Sequence, residues 1–176
     1  MKKLLGTMLV IISVVILMGI LICCSKPYVE HTATVETTKD GRFIAYDDGT
    51  VLDTKTKLMW ATKDNGSDIE WQDAKFYCEN YHVGGYKDWR MPKLDELEGL
   101  YDESKARPAA CAGRNSIHIA TKLIDVTCLS LWTSETSVTT AEAAIINLSA
   151  KEYLQVARNV RVRRYPKALP SIERTS

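Results

Sequence analysis

Cys78 and His82 are the pair best spaced for nucleophilic chemistry. They stand four residues apart in a stretch of helical periodicity, so thiol and imidazole share a face. Cys78, however, lies on the apolar stripe of that stretch, and nothing in the neighbouring sequence orients His82. A buried, inert thiol is therefore the preferred reading. His31, His82 and His118 have no metal-ligand spacing. Asp47, Asp48 and Asp53 lack the alternating oxygen ligands of an EF-hand loop, and turn chemistry accounts for them. There is no Gly-rich phosphate loop and no G-x-S-x-G elbow. These residues predict a protein that is not an enzyme and uses no metal and no cofactor.

The cations carry the other candidate chemistry. Arg158, Arg161, Arg163, Arg164 and Lys167 form the densest basic run. Val160-Arg161-Val162-Arg163 alternates strictly, which predicts a strand with Arg161 and Arg163 on one face, about 7 Å apart. An arginine fork matches sulfate and carboxylate geometry, so this stripe suits an acidic polysaccharide. Arg164 turns to the other face or past the strand end. The competing reading is a solvated edge strand that its charges keep from aggregating. The formal net charge is +1, so no global field argues for nucleic acid.

The elements that must position these residues centre on Gly84 to Pro92. Trp71, Ala74, Tyr77, Cys78 and Tyr81 predict one helix before it. Pro92, Leu94, Leu97, Leu100 and Tyr101 predict a second after it. Gly84-Gly85 allows the sharp turn between them. Asp88, Trp89 and Arg90 read as a structural corner, an aromatic plug with an ion pair beneath it. Trp60, Trp71 and Trp132 read as core. Short strands are predicted at 42–46, 50–53, 58–60, 129–134, 143–148 and 153–156. Residues 105–128 predict a long loop with a helical piece at 118–123. Cys111 and Cys128 flank it, and their pairing would close about 18 residues and stabilise by roughly 3 kcal/mol.

Lys2 and Lys3 precede an apolar run from Leu4 to Cys24. It is long enough to span a bilayer, and the lysines favour a cytoplasmic N-terminus. An uncleaved signal anchor, a lipoprotein signal with lipidation at Cys24, and a cleaved signal all place the rest outside the cytoplasm, in the periplasm or at the cell surface. Residues 25–41 read as a polar tether, 42–165 as the domain and 166–176 as a tail.

Several stretches recur in a telling order. They are Asp53 to Trp60, Trp71-Gln72-Asp73-Ala74, Tyr77-Cys78, Gly84 to Pro92, Asp95-Glu96-Leu97 and Leu131-Trp132-Thr133-Ser134-Glu135. From about Gly49 to Arg164 the chain resembles the Lcl C-terminal domain family, a bacterial domain of unknown function named after the Legionella collagen-like adhesin. The resemblance implies an α+β, C-type-lectin-like fold, with two helices packed on short antiparallel strands and a long stapled loop. Arg90-Met91-Pro92 is also similar to a turn in formylglycine-generating enzymes, but the cysteines do not fall in that family's positions. The lectin triplets for calcium-dependent sugar binding are missing as well. In the resembled family a cysteine in the first helix often pairs with one at the position of Val162. Here the resemblance leaves Cys78 without that partner. It also implies a loss of helix caps, since Glu70 and Lys93 stand where the family has threonines; Asp68 or water would then cap the first turns. Because the adhesin binds sulfated glycosaminoglycans, the resemblance implies an acidic glycan as ligand. The alternative is a structural or protein-interacting component of the cell envelope, bound to an envelope protein or to itself.

Overall fold

The structure, a computed structural model, describes residues 35–111, 115–137, 142–157 and 167–174. The apolar run Leu4–Cys24, the lipidation candidate Cys24 and the arginines Arg161, Arg163 and Arg164 lie outside the described residues. Among the described residues, no helix is long and apolar enough to cross a membrane.

Three strands with buried apolar residues and one exposed polar edge strand build a first meander. β1 (Glu36–Asp40), β2 (Phe43–Tyr46), β3 (Thr50–Asp53) and β4 (Leu58–Ala61) follow one another as antiparallel neighbours. Phe43, Val51 and Trp60 point into the core. The turn aspartates do what their short side chains favour. Asp48 accepts the Thr50 N–H at 3.0 Å and Asp53 the Lys55 N–H at 3.0 Å. Asp53, almost fully buried, is also paired with Arg42 at 2.9 Å.

Two short helices follow, α1 (Trp71–Glu79) and α2 (Leu94–Glu98). Then come β5 (Tyr101–Pro108) and β6 (Ser116–Ile119), which pair as a separate two-stranded sheet. β7 (Ser130–Thr136), β8 (Glu142–Asn147) and β9 (Glu152–Ala157) form a three-stranded antiparallel sheet. β10 (Ser171–Glu173) returns to pair with β4 and completes a five-stranded sheet.

The fold is therefore predominantly β, with three antiparallel sheets and helices of only nine and five residues. This corrects the expectation of an α+β, C-type-lectin-like architecture with two helices packed on strands. Both helices stop earlier than their apolar periodicity implies. Tyr81 and His82 lie past the end of α1, and Leu100 and Tyr101 past the end of α2. Apolar residues at helical spacing can equally line a turn that re-enters the core, as buried Leu100 does.

Within the loop expected at 105–128, residues 105–108 close β5 and 116–119 form β6, and there is no helical piece at 118–123. Polar residues hid β5, because most of its side chains face solvent. β1 was hidden for the same reason, inside what reads as tether. The tail expected from 166 is corrected too. Ala168, Leu169 and Ile172 are buried, and β10 hydrogen-bonds into the main sheet.

The main core gathers Phe43, Val51, Trp60, Trp89, Leu97, Leu100, Ile117, Leu131, Ile146 and Ile172. A smaller cluster of Trp71, Ala74, Cys78, Met91, Trp132, Ala143, Ile145 and Ala168 lies where α1 meets β7 and β8.

Candidate functional site

β7 ties the small cluster together one residue at a time. Leu131 is core. The Trp132 indole donates to the Ile69 carbonyl at 2.8 Å, just before α1. The Thr133 hydroxyl donates to Ala144 on β8 at 3.0 Å, and its carbonyl accepts from the Trp71 indole at 2.9 Å. Ser134 N–H reaches Pro92 at 2.8 Å. Glu135 accepts the Leu94 N–H with both oxygens at 2.9 Å. These are buried or half-buried polar contacts, each of the kind that costs more to lose than to make.

The Glu135 contact answers the question of caps. Neither Glu70 nor Lys93 caps through its side chain. α2 starts instead on Glu135 and on Glu96, whose carboxylate accepts the Lys93 N–H at 2.7 Å. Asp68 is engaged elsewhere, in a 2.8 Å pair with the buried Lys167. Lys167 therefore does not belong to an exposed basic stripe, contrary to its reading as the end of the run.

The corner between the helices is built on glycine. Gly84 has φ +65°, and a Cβ there would sit 2.7 Å from Thr50, 2.8 Å from Asp48 and 2.9 Å from Tyr86. The chain can pass the β2–β3 turn only without a side chain at that point. Past it, Trp89 is buried and its indole donates to Val83 at 3.1 Å.

Arg90 supplies the ion pair expected beneath that plug, but not with Asp88, which is exposed. Its guanidinium grips Glu96 with both forks, at 2.8 and 2.6 Å, and reaches Glu173 at 3.2 Å. Its backbone exchanges two hydrogen bonds with Ser171 of β10, at 2.9 and 3.0 Å. The hydrogen bond to Glu96 raises the Arg90 pKa further. Burial alone would raise the Glu96 carboxyl. Arg90 and the Lys93 N–H outweigh that and hold it below its ordinary value of 4.5.

On the outer side of this framework lies an open cleft of about 340 Å³. Trp71 and Met91 form its apolar wall. Lys75 and Glu79 of α1, Arg90 and Lys93 of the corner, and Ser134 and Thr136 of β7 line the rest. The Lys75 ammonium sits 5.9 Å from the Trp71 ring centroid and 3.7 Å from Glu79. That ion pair is half exposed at both ends and is weak. Lys93 is exposed; its N–H donates to Glu96, and its ammonium charge also helps to lower the Glu96 carboxyl. Two available cations, two hydroxyls and an aromatic wall form a surface that can hold a polar anion with an apolar face.

The remaining candidates separate. Cys111 and Cys128 are joined, with Cα atoms 5.3 Å apart, as the flanked loop predicts. Cys78 is free and buried. Burial, helped by Glu79, pushes its thiol up to about 12, so at neutral pH it is not a nucleophile. His82 is not on the helix beside it, and its Nδ1 meets the Asn80 carbonyl at 2.5 Å. Trp60 is a core residue of β4. Lys75 and Lys93 were not legible as a pair in the sequence. They lie 18 positions apart on different elements, and no spacing rule joins them.

Of the cleft lining, Trp71, Arg90, Met91 and Ser134 lie in the stretches that carry the sequence resemblance, and Lys75, Glu79, Lys93 and Thr136 do not; a family model for the Lcl C-terminal domain matches residues 49–164. The chain belongs to the Lcl C-terminal domain family. No curated protein and no solved structure matches it. In this Lcl C-terminal domain, the family motif residues on β7 and in the corner are joints of the framework. The matched range ends before β10, although Arg90 takes Ser171 and Glu173 from that strand. The structural domain thus extends past the family match.

Proposed function

We propose that the protein is a membrane-anchored, extracytoplasmic binding module without enzymatic activity, and that its ligand is an acidic polysaccharide. One observation carries the reading: the cleft beside Trp71 and Met91 presents Lys75, whose pair with Glu79 is long and half exposed, and the exposed Lys93. A sugar ring offers an apolar face to an aromatic side chain, and its carboxylate or sulfate groups pair with ammonium and guanidinium groups. Arg161 and Arg163 of the basic run add further cations to the proposal on sequence grounds. The Leu4–Cys24 run supplies the anchor, by spanning or by lipidation at Cys24.

Exposed charge contacts contribute about 0.2–1 kcal/mol each, so one domain binds weakly and display of many copies provides avidity. Binding falls with salt, since such contacts are screened within about 10 Å at 0.1 M. The test is heparin retention of the purified chain against Lys75→Ala/Lys93→Ala and Arg161→Ala/Arg163→Ala. Both variants elute at lower salt, with or without chelator. Retention equal to wild type for both variants sinks the proposal.

A further inference from the structure

The cleft beside Trp71 contains one group that an anion site does not call for. Glu79, the last residue of α1, lines it together with Lys75 and Lys93. The helix gains little from a carboxylate there. It stands at the negative end of the helix dipole. Its partner Lys75 lies four residues N-terminal to it, the weaker order for such a pair. Glu79 Oε1 is 3.7 Å from the Lys75 ammonium, longer than a hydrogen bond, and both side chains are half exposed.

The other lining groups show what that carboxylate can serve. Ser134 and Thr136 of β7 bring two hydroxyls, each able to donate and to accept. Arg90 is committed to Glu96. The cleft therefore offers two ammonium groups that only donate, one carboxylate that only accepts, and the Trp71 wall. A matching ligand carries an anionic group for the ammoniums, hydroxyls that donate to the carboxylate, and an apolar ring face. A uronate residue has all three. In a densely sulfated residue the hydroxyls are replaced by sulfate esters. Such a residue offers Glu79 no donor and is repelled by it. A neutral sugar gives the ammoniums no counter-charge.

We infer that the cleft takes a uronate residue with free hydroxyls, and that Glu79 is its specificity-determining group. Glu79 accepts a sugar hydroxyl and disfavours sulfate, so one side chain supplies both the attractive and the repulsive element of selection. The inference rests on the proposed function, whose cleft and lysines it uses, and narrows the ligand from acidic polysaccharide to polyuronate.

The test measures the affinity of the purified full chain in detergent for polygalacturonate and for dextran sulfate, at matched ionic strength and with chelator. Glu79→Ala binds polygalacturonate roughly 2–5-fold more weakly and dextran sulfate roughly 2–5-fold more tightly, the range that exposed charge contacts give. Its melting temperature stays at the wild-type value, because the pair with Lys75 is weak. If Glu79→Ala melts early, Glu79→Gln decides alone: it tightens dextran sulfate and does not tighten polygalacturonate. A response that is absent, or of the same sign for both polymers, overturns the inference. So does a wild type that binds dextran sulfate and not polygalacturonate. Those results leave the broader acidic-polysaccharide reading standing while Lys75→Ala/Lys93→Ala still weakens binding of dextran sulfate. If neither that variant nor Arg161→Ala/Arg163→Ala weakens binding of either polymer, the broader reading falls and the inference falls with it.

Discussion

Two clefts of the domain are similar in size and in charge, and they are not equivalent. One lies between α1, the Arg90 corner and β7, at about 340 Å³. The other, about 290 Å³, lies beside β5 and β6 and is lined by Lys105, Arg107, Lys122 and Asp40. Each presents three cations. In the second, Lys105 donates to the Ala120 carbonyl at 2.6 Å, and Arg107 binds Asp125 at 3.2 Å and the Ile124 carbonyl at 2.8 Å. Those two groups hold the polar strand β5 to the segment 120–125 that follows β6. In the first cleft the framework is held by Arg90 with Glu96, and by Glu135, while Lys75 has a long, half-exposed pair with Glu79 and Lys93 is exposed. A count of positive charges does not locate a binding site; the engagement of each one does.

The largest effect expected from probing this contrast is at the staple of the β5–β6 arm. Cys111→Ser/Cys128→Ser opens a loop of 17 positions and lowers unfolding free energy by roughly 3 kcal/mol, read by denaturant titration. Heparin retention stays unchanged, because the proposal assigns binding to the other cleft. Lost retention in this variant, while it is still folded, would break the contrast.

Next in size is the corner that lines the first cleft. Glu96→Gln removes the charge from a bidentate pair and costs about 2 kcal/mol at neutral pH. The pH dependence has a definite sign. The Glu96 carboxyl is lowered in the folded state, so its contribution is complete above the ordinary value of 4.5 and is lost as pH falls through the lower folded value. Wild type therefore loses more stability on acidification below 4.5 than Glu96→Gln does. Parallel acid-unfolding curves would show that Arg90 does not hold this carboxylate.

Much of this was legible in the sequence, for physical reasons that differ by element. β2, β3, β4, β7 and β8 bury apolar residues, so composition reveals them. β1 and β5 are exposed edge strands made by hydrogen bonding to neighbours, and polar residues give no sign of that. β10 is legible only through Ile172, in a stretch that otherwise reads as tail. The Cys111–Cys128 bond was readable because two cysteines bracket a breaker-rich segment. The partner of Arg90 was not. Glu96 is six residues on and Glu173 is 83 residues away, and only the return of β10 brings Glu173 near. The cleft itself is a product of three elements meeting, which no linear motif encodes.

The smallest effects bear most directly on the central claim, that the two clefts divide binding from structure. The measurement is a crossed comparison of Lys75→Ala/Lys93→Ala with Lys105→Ala/Arg107→Ala, each scored by salt of elution from heparin and by melting temperature. The first pair elutes earlier, a loss of about 1 kcal/mol in binding, and melts as wild type does. The second pair melts lower by about 1–2 kcal/mol of stability and elutes as wild type does. The opposite pattern, with retention lost at Lys105 and Arg107 and kept at Lys75 and Lys93, would contradict the account.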